Sequence, residues 1–318
     1  MERRHTAQVL VETFDESLRA AAFSYVRRLQ DLGGDRVLFR DLASFEFDGR
    51  RIPLIQRPRG IRVIPGMESA LTILTTFRAN PLERPYEDAE GPDGYLRYKW
   101  MGTNAEARDN RALRAAMNYD RPLIWFFGVA SGEYAAVLPV YVVGEESEQQ
   151  QFVVAIDEAM REQWIESLAH PVDLALRREY AIAQVRRRVH QRVFRGRVLS
   201  AYASQCALCR LRHRPLLDAA HIREDRFGGE PIVPNGVAMC AIHHRAFDNT
   251  LLGIRPDYTV EIRSDVLAEE DGPTLKHALQ GLHLSKMTLP RSRPSWPRPD
   301  LLEERRFELF RQQVNAAS

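Results

Sequence analysis

All three cysteines of this 318-residue chain fall within one short stretch, at Cys206, Cys209 and Cys240. Cys206-x-x-Cys209 can aim two thiolates at one ion from a tight turn. Cys240-x-x-His243 supplies a matching half, so the four donors make a tetrahedral Cys3His set suited to zinc. A sparse, odd number of thiols does not build a disulfide framework. The plainer alternative is three buried thiols that hold nothing. A structural zinc here would tie residues 206 to 243 into one small domain, and every other reading of the region has to accommodate it.

The segment between the two half-sites has its own pattern. LLDAAHI, residues 216–222, reads as a strand, followed by a long loop from Arg223 to Pro234. NGVAMC, residues 235–240, reads as a second strand running into a helix at Ala241. On that helix His244 points about 100° away from His243 and cannot comfortably serve the same ion. Asp248 follows His244 by four residues and shares its face. An imidazole and a carboxylate so placed can hold a second, harder ion, Mg²⁺ or Mn²⁺. The alternative is a surface pair on a zinc-capped helix. A neutral imidazole at His221, opposite such an ion, could take a proton from water, which is the chemistry of phosphodiester hydrolysis. Asn235, at the base of the loop, is placed to fix the loop and orient His221 by hydrogen bonding.

His221, Asn235 and His244 resemble the three letters of the HNH, or ββα-metal, nuclease motif. LLDAAHI and NGVAMCAIHHRAFD are similar to the zinc-supported, McrA-like branch found in bacterial restriction endonucleases. The resemblance covers residues 176 to 260 and, more loosely, the tail to Phe310. It implies that His221 is the general base and that His244 and Asp248 bind the catalytic ion. It also implies that Cys206, Cys209, Cys240 and His243 bind a structural zinc. One departure stands out: the family often carries a metal ligand immediately before the base, and here that position is Ala220. Asp218 is the nearest carboxylate that could substitute, or it is a strand-end surface residue.

Charge supports a nucleic-acid reading only locally. The chain has 45 basic and 43 acidic side chains, a formal +2. Between residues 171 and 200, however, eight arginines face two acids, Asp173 and Glu179. This segment belongs to a long helical stretch from Glu158 to Ala203, interrupted at Pro171. Arg186, Arg187, Arg188, Arg192, Arg195 and Arg197 are candidate phosphate contacts, which would give sequence-independent affinity for double-stranded DNA. The alternative is a solvated amphipathic face paired with acids elsewhere.

The first 155 residues read differently. Helical spacing runs over 14–32, and short strands and a hairpin follow between Arg36 and Ile64. GMESALTILTTFRA, residues 66–79, fits a short helix. GYLRYKWMG reads as a strand, Arg108 to Met117 as a helix, and PLIWFFGVA, YAAVLPVYVV and FVVAI as three further strands. The helix–strand–loop–strand order resembles the PUA-like class that includes SRA readers of modified cytosine. Such readers flip a base into an aromatic pocket. On that resemblance Tyr95, Tyr98, Trp100 and Trp125 are candidate stacking residues, with Asn104, Asn110 and Asp93 as polar readers. The competing role for the aromatics is barrel core.

The expected architecture is α+β: a mixed, barrel-like recognition domain over 1–157, a basic helical linker over 158–200 and a ββα-metal domain over 201–318. The expected function is a metal-dependent DNA endonuclease of restriction type acting on foreign DNA, with selectivity, including for modified bases, in the first domain. A single site of this kind cuts one strand, so a homodimer is the simplest route to a double-strand break. Rival readings are a strand-specific nickase, an enzyme that cuts RNA, and a zinc-containing DNA-binding regulator without catalysis. The last has no use for His221, His244 and Asp248. The N-terminal residues show no apolar signal-like run, and the longest apolar run, residues 122–130, is far shorter than the roughly 20 a spanning helix needs. A cytoplasmic protein is expected, with no membrane partner.

Overall fold

The computed structural model describes residues 2–33, 36–56, 59–77, 91, 93–169, 190–270 and 272–306, with side chains from residue 14 onward except 167–169. Arg186, Arg187, Arg188 and the rest of residues 170–189 of the expected basic linker lie outside these residues. The chain divides into two compact units. The first holds residues 1–77 and 86–192, the second 78–85 and 193–318.

The first unit opens with α1 (Glu2–Gly33), which begins well before the helix read from periodicity. Leu18, Ala22 and Val26, four residues apart, bury one stripe of α1 against Val37, Leu42, Phe126 and Ala136. The strand RVL is β1 (Arg36–Leu38), and the chain then turns helical as α2 (Phe39–Ala43). The expected hairpin is β2 (Glu46–Phe47) and β3 (Arg50–Arg51). Its Asp48-Gly49 turn takes positive φ at both residues, 50° and 65°, which matches the twist of the flanking strands.

The main sheet has the order β4-β5-β7-β8-β9-β6, with β1 added beside β8. Its strands are β4 (Ile61–Arg62), β5 (Thr72–Thr75), β6 (Leu96–Lys99), β7 (Leu123–Ala130), β8 (Glu133–Glu146) and β9 (Gln151–Ala155). The helix expected over 66–79 is not found. Thr72, Ile73 and Thr75 are β-branched and stiff at χ1, and β5 fills the slot between β4 and β7, pairing parallel to β7. Helices α3 (Arg108–Asn118) and α4 (Glu158–Ala169) follow the expected positions.

The sheet curls into a half-barrel because β8 changes partner along its length. Residues 133–140 pair with β7, and residues 141–146 pair with β9. Pro139 sits at the changeover, where a residue lacking an N–H costs no ladder bond. The mixed α/β, curled character of the expected first domain is therefore present.

The second unit takes in α5, helical over 190–201, from residue 193 onward. Then come β10 (Leu217–His221), β11 (Gly236–Cys240) and α6 (Ala241–Asp248). The two strands pair antiparallel, with His221 opposite Gly236 and Asp218 opposite Met239. The strand–loop–strand–helix order matches the sequence reading. A second hairpin, β12 (Leu252–Ile254) and β13 (Val260–Ile262), adds to the core. Among the described residues, the short helices α7 (Ser264–Ala268), α8 (Pro273–Ala278) and α9 (Pro299–Arg305) follow. Phe194, Val198, Val237, Met239, Phe247, Val260 and Leu302 share one buried core. Among the described residues no helix is long and apolar enough to cross a membrane.

Candidate active site and metal centre

Cys206 and Cys209 lie on the turn after α5, Cys240 ends β11, and His243 sits in the first turn of α6. One donor atom from each lies within 4.8 Å of the others, and among the described residues this is the group of metal-type donors so gathered. The Cys209 and Cys240 sulfurs are 3.9 Å apart, and His243 Nδ1 is 3.1 Å from the Cys240 sulfur and 3.4 Å from that of Cys206. A tetrahedron with zinc–sulfur bonds of about 2.3 Å has edges of about 3.8 Å, so three thiols and an imidazole at these spacings fit a metal ion. The outer nitrogen, His243 Nε2, is 2.7 Å from the Ala278 carbonyl, and a hydrogen bond donated there fixes the ring with Nδ1 facing the thiols. The Cys206 thiol is held well below its ordinary range, chiefly by a hydrogen bond from Cys240, against the opposing effect of burial.

On the other side of α6, His244 stands between two carboxylates. Its Nδ1 is 3.4 Å from Asp218 on β10, and its Nε2 is 3.2 Å from Asp248 one turn later on α6. Each carboxylate has an arginine behind it: Arg195 Nε is 3.2 Å from Asp218, and Arg305 Nη2 is 3.5 Å from Asp248. Charges thus alternate across five side chains from four elements. Burial would lower the His244 pKa, but the hydrogen bond to Asp218 and the charge of Asp248 raise it above its ordinary value. Asp218 is held low despite burial by His244, by the Ala219 N–H and by Arg195.

His221, at the end of β10, is half-buried with its ring stacked on Phe194. Gly236, its cross-strand partner, permits that stack: a Cβ there would lie 2.7 Å from the Phe194 ring and 2.5 Å from Val198. Asn235 is 1% exposed and holds the loop at three points. Its amide nitrogen donates to the carbonyls of Arg223 (3.0 Å) and Glu230 (2.9 Å), and its oxygen accepts from the Arg223 N–H (2.8 Å).

Two arginines of the basic segment, Arg195 and Arg197, differ from expectation. Arg197 is buried, at 7% exposure. Arg195 reaches Asp218 and donates to the Leu217 carbonyl at 2.6 Å. Arg195 is turned onto β10, while Arg197, two residues on and so on another face of α5, is buried in its own right. Arg192 is half-buried.

In the first unit Tyr95 and Trp125 are fully buried, and their polar atoms donate to Met160 O and Thr75 Oγ1. They are core, which leaves no ring face open to a base. Tyr98 donates to the carbonyls of Gly60 and Leu74, and burial raises its pKa. Asn110 is buried and pins the Met101–Asn104 turn, and Asp93 pairs with Arg97. Trp100 is half-buried and Asn104 exposed.

Sequence reading missed Arg305. It comes from α9, more than eighty residues after His221, and its side chain is buried. No local motif marks it; an Arg-Arg pair in a tail helix is unremarkable until the fold brings it under the site.

Residues 206–255 match the family model described as HNH endonuclease. No curated protein matches the chain. Among solved structures, a modification dependent TagI restriction endonuclease is 16% identical, covering 76% of this chain and 82% of its own, with a TM-score of 0.29. The type IV phosphorothioation-dependent restriction endonuclease ScoMcrA is 15% identical, covering 60% of this chain and 48% of its own, with a TM-score of 0.24. Both TM-scores lie below the level at which a shared fold follows.

Proposed function

We propose that the second unit, whose residues 206–255 match the HNH endonuclease family, is a metal-dependent DNA nuclease in which His221 is the general base. The observation that carries this reading is the arrangement of His221, Asn235 and His244 on strand, loop end and helix within the matched segment. Burial lowers the His221 pKa to about 4, so the ring is neutral at neutral pH and free to accept a proton from water. Asn235 holds the loop that leaves His221, and Asp218 orients His244 through Nδ1. His244 and Asp248 are the residues that would hold Mg²⁺ or Mn²⁺, which when bound neutralises charge on the scissile phosphate. Cys206, Cys209, Cys240 and His243 would hold a structural zinc that fixes the first turn of α6 and therefore the direction of His244.

The finer reading is a restriction enzyme that acts on foreign, base-modified double-stranded DNA as a homodimer. Its selectivity would lie in the first unit, where Trp100 and Asn104 are the reader candidates outside the core. Arg192, with Arg186, Arg187 and Arg188, remains the candidate phosphate contact.

The test is cleavage of supercoiled plasmid, unmodified, methylated and hydroxymethylated, with Mg²⁺ or Mn²⁺. His221→Ala should stop cutting and leave DNA binding intact. Cutting by that variant at the parent rate would overturn the assignment. Linear product indicates paired cuts, persistent open circles a nickase, and binding without cutting by the parent protein a non-catalytic regulator.

A further inference from the structure

Arg305 joins the ends of the two elements that carry the candidate site residues. One guanidinium nitrogen donates to the carbonyls of His221 (3.2 Å) and Ile222 (3.0 Å), where β10 ends. The other donates to the Phe247 carbonyl (3.1 Å) in the last turn of α6 and lies 3.5 Å from Asp248 Oδ1. The guanidinium carbon stands 3.9 Å from the centroid of the Phe247 ring. The planar fork therefore spans the strand that carries His221 and the helix that carries His244 and Asp248. A lysine has one ammonium and cannot serve both ends at once.

We infer that Arg305 is a positioning residue for the nuclease reaction: it sets the separation between His221 and the His244–Asp248 pair and aims the Asp248 carboxylate. This rests on the reading of those residues given above. Carbonyl bonds to His221 and Ile222 fix where the strand stops. The bond to Phe247 fixes where the helix stops. The charge beside Asp248 holds that carboxylate against the outer nitrogen of His244. Arg195 performs the matching service at Asp218, on the opposite side of the same imidazole. Arg305 itself has no role in proton transfer here.

The experiment compares full-length Arg305→Lys, Arg305→Gln and His221→Ala proteins with the parent. Three quantities are measured: kcat and KM for plasmid cleavage, the Mn²⁺ concentration giving half-maximal rate, and the thermal midpoint. The expected result for folded Arg305→Lys is a tenfold or greater fall in kcat with KM within about threefold of the parent, and a higher Mn²⁺ requirement. Arg305→Gln should be slower still, since it loses the charge beside Asp248. If Arg305→Gln does not fold, Arg305→Lys alone decides. A folded Arg305→Lys protein with kcat within twofold of the parent and an unchanged Mn²⁺ requirement would overturn the inference. So would a rate loss that matches the fraction unfolded at the assay temperature. An inactive His221→Ala beside a fully active Arg305→Lys sinks this inference alone, whereas an active His221→Ala sinks the reading beneath it.

Discussion

His221 lies flat against Phe194, with ring centroids 3.9 Å apart and planes 17° from parallel. The stack removes one face of the imidazole from water. Burial is the main reason its pKa falls from 6.5 to about 4; Asp225 pulls it back up, and His244 adds to the fall. The ring is thus neutral above about pH 4 and gains a proton only as the pH drops through that value. The unfolded chain takes up its proton near 6.5, so the stability tied to this residue is intact above 6.5 and is lost between 6.5 and 4. The acid limb of kcat/KM due to this group should therefore fall near pH 4. Phe194→Leu, which opens the face, should move that limb upward toward 6.5. A pH–rate profile of both proteins checks this, and an unmoved limb would count against burial as the cause.

Asp218→Asn removes the charge that orients His244. Ligating histidines depend on such partners for about 10- to 100-fold in metal affinity or activity. The variant should need correspondingly more Mn²⁺ for half-maximal cleavage while its zinc content stays at the parent level. Metal titration of the cleavage rate, with zinc measured by mass spectrometry, separates the two sites.

Cys209→Ser should strike the fold rather than the chemistry. Structural zinc contributes on the order of 10 kcal/mol in small zinc domains. The purified parent should carry about one zinc per chain. The variant, or the parent after chelation, should show an earlier thermal transition in the second unit, followed by calorimetry.

Gly236→Ala places a methyl group into Val198 and Phe194 at distances no ordinary contact allows. Overpacking of this kind costs about 1–3 kcal/mol. Because Phe194 backs His221, the fall in cleavage rate should exceed what the change in thermal midpoint explains. Asn235→Ala leaves the Arg223 N–H and the carbonyls of Arg223 and Glu230 without their partner. That costs about 1–3 kcal/mol for each buried group left unpaired, read as a lower midpoint together with slower cutting.

The second unit was largely legible because its signals are local. The cysteine spacing, the i,i+4 step from His244 to Asp248 and the alternation in LLDAAHI and NGVAMC each work within a few residues of the element they define. Asn235 could be placed for the same reason. Four things escaped. Arg305 reaches the site from a distant helix, and only tertiary packing brings it there. Arg195 and Arg197 sit in a basic run that looks solvated until Arg195 is seen to reach Asp218 and Arg197 to be buried. In the first unit, TILT was absorbed into a helical pattern, since a four-residue buried strand has no periodicity of its own and is decided by the neighbours it pairs with. Tyr95 and Trp125 could not be told from pocket residues, because an aromatic on a strand looks the same whichever side of the sheet holds the core.

His243 and His244 are consecutive, yet they look out on opposite chemical surroundings of a single helix. One residue inserted or deleted between Cys240 and His243 would rotate every later side chain by about 100° and put one imidazole where the other stood, leaving its own place to a different residue. The spacing there is indivisible in a way that the hinge-free loop from Arg223 to Glu230 is not. Natural variants of this chain should accordingly differ in loop length long before they differ, by even one position, in the register of that turn.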